Sequence, residues 1–89
     1  MNLDNHELKF PCQYPIKIIG LANDLFKKNV LKIVYQHFKS KISDDLISYK
    51  MSRNNRYLSI TVRFMAQSRS QVDQIYRDLK SCAEVVKLI

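Results

Sequence analysis

The clearest pattern in the chain is an alternation of apolar and polar side chains over residues 57–64. The apolar set consists of Leu58, Ile60, Val62 and Phe64. The set between them consists of Tyr57, Ser59, Thr61 and Arg63. Alternation with a period of two is typical of a β-strand that buries one face and exposes the other. A sheet containing this strand is therefore predicted to be covered by helices on one side only.

Three further segments read as strands. Residues 14–20 are rich in β-branched side chains and end at Gly20, residues 46–51 form a weaker strand, and residues 84–89 form a short one. Between the second and third strands, Asn54 and Asn55 favour a tight hairpin turn, because asparagine tolerates the left-handed backbone conformation.

Two amphipathic segments separate the strands. The first follows Asn23, a good helix N-cap, and its apolar arc extends to about Lys39. In the second, Ser68 and Gln71 have capping-box spacing, and the segment from Arg69 to Ser81 places apolar residues on one helical face. The order βαββαβ predicts an α+β fold, the ferredoxin-like plait, with a four-stranded antiparallel sheet in the order 4-1-3-2 and two helices on one face. We expect residues 1–12 to be a flexible N-terminal arm and residues 13–89 to be a single domain.

Composition narrows the function classes. A chain of 89 residues excludes a multidomain enzyme, and a single glycine excludes glycine-rich phosphate loops. Cys12 and Cys82 are predicted to lie near opposite ends of paired strands, so we expect free thiols. The N-terminal residues have no secretory pattern and no apolar run could span a bilayer, which predicts a cytoplasmic protein without membrane contact.

No catalytic or metal-binding constellation is present in the sequence. His37 lies within the apolar arc of the first helix, which favours a packed or hydrogen-bonded histidine. Asp44 and Asp45 fall at a turn, where carboxylates are commonly solvated. We therefore predict a protein that is not an enzyme and has no cofactor, no metal and no catalytic residues.

The uncovered side of the sheet is the candidate binding site. We call this surface the open face, and it is predicted to carry Lys17, Lys50, Tyr57, Ser59, Thr61, Arg63 and Lys87. With a net charge of +7, this face suits a small anionic metabolite or a partner protein, although solvated lysines are the simplest alternative. Nucleic acid is a less favoured partner, because stacking aromatics are missing from the central strands.

Self-association is a further expectation. Ile19, Val85 and Ile89 are predicted to lie on the open face, beside an exposed terminal edge strand. Apolar residues next to an unpaired edge favour pairing between chains. The sequence is therefore compatible with a homodimer.

Four segments together resemble the YbeD-like family of small bacterial proteins. They are Phe10-Pro11 leading into residues 14–20, Leu58 to Val62, Gln71-Val72 with Ile75-Tyr76 and Leu79, and Val85 to Ile89. The resemblance implies an ACT-like plait, similar in shape to the metabolite-sensing domains of metabolic enzymes but without an attached enzyme. It supplies no site residues, because the family has no settled biochemical activity. The expected function is a small regulatory or adaptor module. The chain departs from the family at its hairpin, where Asn54-Asn55 replaces the usual glycine.

Overall fold

A computed structural model describes residues 9–38 and 42–89. Its elements are β1 (Cys12–Leu21), α1 (Asp24–Phe38), a 3-10 turn (Asp44–Leu46), β2 (Ile47–Met51), β3 (Tyr57–Ala66), α2 (Arg69–Lys80) and β4 (Val85–Leu88). The strands form one antiparallel sheet in the order β2-β3-β1-β4. This is the predicted ferredoxin-like plait, with the strand order confirmed.

The alternation in β3 determines which side of the sheet is covered. Ile60, Val62 and Phe64 are at most 2% exposed and belong to a single hydrophobic core. On β1, Ile16 and Ile18 are buried in the same way, in register with Val62 and Ile60. The helices supply the other half of the core through Phe26, Val30 and Val34 of α1 and Val72, Ile75 and Leu79 of α2.

Both helices begin where the sequence predicts. The side chain of Asn23 accepts a hydrogen bond from the Phe26 N–H at 2.8 Å, and that of Ser68 accepts one from the Gln71 N–H at 3.1 Å. Each bond satisfies a backbone donor that has no partner within its helix. The predicted helix end near Lys39 lies outside the described residues, because α1 is described up to Phe38.

The β2–β3 hairpin uses asparagine as predicted. Asn55 has a φ of 59°, in the left-handed region, and its N–H donates to the Ser52 carbonyl at 2.9 Å. The Asn54 side chain accepts hydrogen bonds from Ser52 Oγ and the Arg56 N–H. These local bonds stabilise the tight turn without glycine.

The last strand differs from the prediction. Ile19 pairs with Lys87 but Gly20 pairs with Val85, so Val86 is an extra residue in a β-bulge. The bulge turns Val85 towards the core, where it is half-buried, and leaves Val86 61% exposed. The expectation that Val85 lies on the open face is therefore wrong.

Most of the predicted arm, residues 1–12, falls outside the described residues. Residues 1–8 lie outside the described residues, but Phe10 packs against the core and β1 begins at Cys12. Pairing between β4 and β1 reaches Lys17, which exchanges backbone hydrogen bonds with Ile89. Pro15 lies beyond this paired stretch, and a strand tolerates a residue without an N–H at such a position.

The two helices are joined by the histidine that the sequence placed in the apolar arc. His37 Nε2 of α1 lies 2.7 Å from Asp78 Oδ2 of α2, and the histidine side chain is mostly buried. The prediction of a hydrogen-bonded histidine is confirmed. The pair stabilises the helix layer that covers the sheet.

The only glycine of the chain is required by close packing. A Cβ at Gly20 would lie 2.5 Å from the Glu84 carbonyl oxygen and 2.5 Å from Phe26 Cε1. Such contacts are well inside van der Waals distance, so α1 and the segment before β4 would have to move away from β1.

We therefore expect Gly20→Ala to lower the free energy of unfolding by about 1–3 kcal/mol, because the added methyl group overpacks a tight junction. Urea denaturation measures the change. Ser48→Ala, at an exposed position of β2, is the control and should change stability by less than about 0.5 kcal/mol. Equal effects of the two substitutions would contradict this account of Gly20.

Candidate binding surface

The structure brings the predicted residues of the open face together. Lys17 of β1 is in register with Thr61 of β3, and Lys50 of β2 is in register with Ser59. Lys87 of β4 pairs with Ile19. Arg63 follows Thr61 by two residues on β3, so the two side chains point to the same side of the sheet. Tyr57 is the first residue of β3 and is in register with Leu21 of β1. The expected residues therefore share one surface across all four strands.

The charge distribution of the strands is one-sided. β1, β2, β3 and β4 contain no aspartate or glutamate, and their only cationic residues are Lys17, Lys50, Arg63 and Lys87. All of these lie on the open face. Its cations consequently have no carboxylate from the sheet to neutralise them.

Lys17 is the centre of this charge cluster. Its direct neighbours on the adjacent strands are Thr61 and Ile89, and Arg63 and Lys87 are its diagonal neighbours. Diagonal positions on one sheet face are about 7–8 Å apart, within reach of long side chains. Like charges at this spacing repel one another, particularly at low ionic strength.

Apolar side chains lie among these cations. Leu21, Met65 and Ile89 are each about half exposed. Ser59 and Thr61 are half-buried, so their hydroxyls lie low between the longer side chains. The open face is therefore amphiphilic, with apolar side chains among and around its cations, and Tyr57 is the only ring that β3 contributes to it.

Sequence reasoning missed a polar cluster on the helix side of the fold. Glu84 Oε1 accepts hydrogen bonds from Asn29 Nδ2 at 2.9 Å and from Cys82 Sγ at 3.2 Å. The Asn29 bond, followed by the Cys82 bond, lowers the pKa of Glu84. Burial and the neighbouring Glu84 raise the pKa of the Cys82 thiol, which keeps it protonated as a donor. The cluster joins α1 to the segment before β4.

A second feature without a sequence signal is a shallow cavity between α2 and β4, with a volume of about 310 Å³. Its lining comprises Tyr76, Lys80, Val85, Val86, Lys87 and Leu88. Burial, together with a hydrogen bond to Tyr14, raises the pKa of Tyr76 to about 12. The tyrosine is thus a neutral hydrogen-bond donor at the wall of the cavity, and its hydroxyl donates to the Ile89 carbonyl.

The described ranges show no candidate metal cluster and two free thiols. Within residues 9–38 and 42–89, no cluster of three or more histidine, cysteine or acidic side chains has metal-binding proximity. Cys12 and Cys82 are both free thiols, as predicted. Among the helices in this part of the chain, none is long and apolar enough to cross a membrane.

Comparison with known proteins identifies the relatives of this chain. Residues 5–89 match the model of a family described as a protein of unknown function, DUF493. The chain belongs to this family. A UPF0250 protein of Vesicomyosocius okutanii is 40% identical over 73 residues, covering 82% of this chain and 78% of the relative. The UPF0250 protein NE1487 of Nitrosomonas europaea is 35% identical over 82 residues, covering 92% and 93%.

A solved structure supports the same fold. The solution structure of HP0495 from H. pylori superposes with a TM-score of 0.77, covering 100% of this chain and 94% of that protein. At 16% sequence identity, this similarity concerns the fold. The resemblance to the YbeD-like family is confirmed, while the names of the UPF0250 relatives assign no activity.

The cationic centre of the open face predicts an unusual response to substitution. We expect Lys17→Gln to raise the free energy of unfolding by about 0.5 kcal/mol at low salt, because it removes repulsion with Arg63 and Lys87. The gain should shrink at roughly 0.5 M NaCl, where charges are screened. Arg56→Gln removes the same charge at an exposed hairpin position and is the control. A similar gain in both variants would show that net charge, and not the cluster, is responsible.

The lowered pKa of Glu84 predicts a pH dependence of stability. A carboxylate whose pKa falls below its usual value of 4.5 on folding stabilises the fold above that pH. The stabilisation is lost as the pH falls through the lowered pKa. We expect Glu84→Gln to melt at a lower temperature than the parent protein near neutral pH, and the difference to shrink in acid. Thermal melts across the pH range measure it, and a constant difference would contradict the prediction.

Proposed function

We propose that this protein is a non-enzymatic regulatory or adaptor module, and that its open face binds an acidic segment of a partner protein. The observation that carries the proposal is the placement of every strand cation on the uncovered side of the sheet, with no strand carboxylate to neutralise it. An anionic partner would relieve the mutual repulsion of these cations. The open face therefore favours binding of a negatively charged surface and opposes binding of a positively charged one.

The spacing of the cations favours an extended partner over a small metabolite. Lys50 and Lys87 are on the two outer strands, with two strands between them. Neighbouring strands are about 4.8 Å apart, so these cations span roughly 14 Å. A small dianion is usually held by groups that converge in a concave pocket. A row of carboxylates on a peptide matches the wider spacing better.

The exposed apolar side chains of the face add a second requirement for the partner. Leu21, Met65 and Ile89 would be covered by a partner that offers apolar side chains next to its acidic residues. Interfaces of this kind gain affinity from the buried apolar contacts and gain orientation from the charges. The combination supports an amphiphilic acidic segment as the partner.

Single-stranded nucleic acid is the second candidate, and the net charge of +7 favours it. Proteins that bind single strands on an open sheet stack bases on aromatic side chains of the central strands. Here the central positions are Lys17, Ile19, Ser59 and Thr61. Such a surface offers phosphate contacts but few stacking platforms.

The proposal is tested by titrating the labelled protein with a glutamate-rich peptide containing leucines, with pyrophosphate, and with a short single-stranded RNA. We expect the peptide to shift amide resonances of β1 and β3 at physiological salt. Lys17→Gln should weaken peptide binding by about threefold to tenfold, because one cation at the centre of the cluster is lost. Arg56→Gln, with the same change in net charge, should weaken it by less than about twofold.

Each probe gives a distinct outcome. Tight binding of pyrophosphate, without binding of the peptide, would indicate that the open face binds a small anionic metabolite and not an acidic segment of a protein. Binding of RNA with a steep salt dependence, reduced by about one unit of slope in Lys17→Gln, would favour nucleic acid. No response of the open face to any of the probes would reject the proposal.

A further inference from the structure

The outer edge of β2, which we call the β2 edge, carries backbone groups that no strand in the described part of the chain covers. The Ser52 N–H donates to the Tyr57 carbonyl at 2.8 Å. This bond shows which residues of β2 direct their backbone groups towards β3 and which direct them outwards. Ser48 and Lys50 turn their backbone groups towards β3, and those of Tyr49 and Met51 consequently turn away from it. Within residues 9–38 and 42–89, neither has a backbone hydrogen-bond partner on that side.

Apolar side chains follow this edge. Tyr49 is 44% exposed and Met51 is 50% exposed, both on the helix side of the sheet. Lys27 of α1 lies over the Tyr49 ring, 4.6 Å from its centroid. Unpaired backbone groups beside exposed apolar side chains are the combination that favours strand addition.

The two edges of the sheet differ in how well each could pair with an added strand. β4 has four residues and contains the bulge at Val86, a feature that blunts pairing with another strand. β2 has five residues and pairs with β3 in an uninterrupted register. Its one charged side chain, Lys50, points to the open face and does not oppose pairing along the edge. The β2 edge is therefore the better template.

The charges flanking β2 identify the partner. Asp44 and Asp45 precede the strand, whereas Arg53 and Arg56 follow it, and all of these residues are exposed. Asp45 and Arg53 are each four positions from Tyr49. In an antiparallel pair centred on Tyr49, the acidic turn that precedes β2 in one copy lies beside the basic turn that follows β2 in the other. The edge is thus complementary to a second copy of itself.

We propose that two copies of this chain pair through their β2 edges, antiparallel and about a two-fold axis at Tyr49. Met51 of each copy then lies opposite Ile47 of the other, and Asp45 lies near Arg53 at both ends of the interface. The result is a continuous sheet of eight strands, with both helix layers on one side and both open faces on the other. The evidence for this dimer does not rest on what the open face binds.

The size of the contact sets the expected affinity. A stable interface buries about 800 Å² per partner, and an edge of five residues buries less. We expect a weak dimer with a dissociation constant in the range of about 10 µM to 1 mM. Sedimentation equilibrium over this concentration range should show a transition from 10.5 kDa towards twice that mass.

A charge exchange tests the register. Asp45→Lys alone places cations opposite one another at both ends of the homodimer, and Arg53→Glu alone places anions there. We expect each variant to dimerise about tenfold more weakly than the parent chain. An equimolar mixture should form a heterodimer of approximately parental affinity, because every lysine then lies beside a glutamate and every arginine beside an aspartate. Native mass spectrometry distinguishes the two species.

A matched pair of edge substitutions locates the interface. Met51→Lys adds a charge to the β2 edge, and Val86→Lys adds one at a similarly exposed position on β4. We expect the first to weaken the dimer by about tenfold and the second to leave it unchanged. A parent chain that stays monomeric at about 1 mM would overturn the proposal. Dimers that respond to Val86→Lys but not to Met51→Lys, or single charge variants that fail to recover on mixing, would also overturn it.

Discussion

The structure depends on covering a four-stranded sheet from one side only. Successive side chains of a strand point to opposite faces, so every residue that β1 and β3 bury under the helices places its neighbours on the uncovered side. Ile16 and Ile18, with Ile60 and Val62 opposite them, define the buried set. A lysine in their place would be an uncompensated buried charge, which costs several kcal/mol. The packing of the core therefore decides where the strand cations are exposed.

Features governed by local signals could be predicted from the sequence. The alternation in β3, the caps at Asn23 and Ser68, and the left-handed Asn55 each depend on neighbouring residues, and the structure contains all of them. Together with the general rules for connecting strands, they determine the strand order. Membership of the open face follows from the alternation of side chains along each strand, so its residues were also predictable, except Val85, which the bulge in β4 turns towards the core.

Features that depend on distant contacts could not be predicted in this way. The bond between Asn29 and Glu84 joins residues 55 positions apart, and neither belongs to a recognisable motif. Gly20 resembled a strand terminator, although its role is to let the Glu84 carbonyl and the Phe26 ring approach closely. The bulge that turns Val85 inward lies where β4 pairs with Ile19 and Gly20 of β1, and the alternation of residues in β4 gives no sign of it. These are tertiary effects that override a local pattern.

The open face and the β2 edge impose compatible requirements on how the protein associates. Stacking two open faces on each other would bring Lys17 and its cationic neighbours of both copies together without carboxylates, which opposes that arrangement. Pairing at the β2 edge leaves the faces side by side and uncovered. Lys50, on the strand next to the two-fold axis, would then extend the cationic surface from one copy to the other. A partner long enough to cross the axis would contact both copies and gain affinity from the second contact without any new type of interaction.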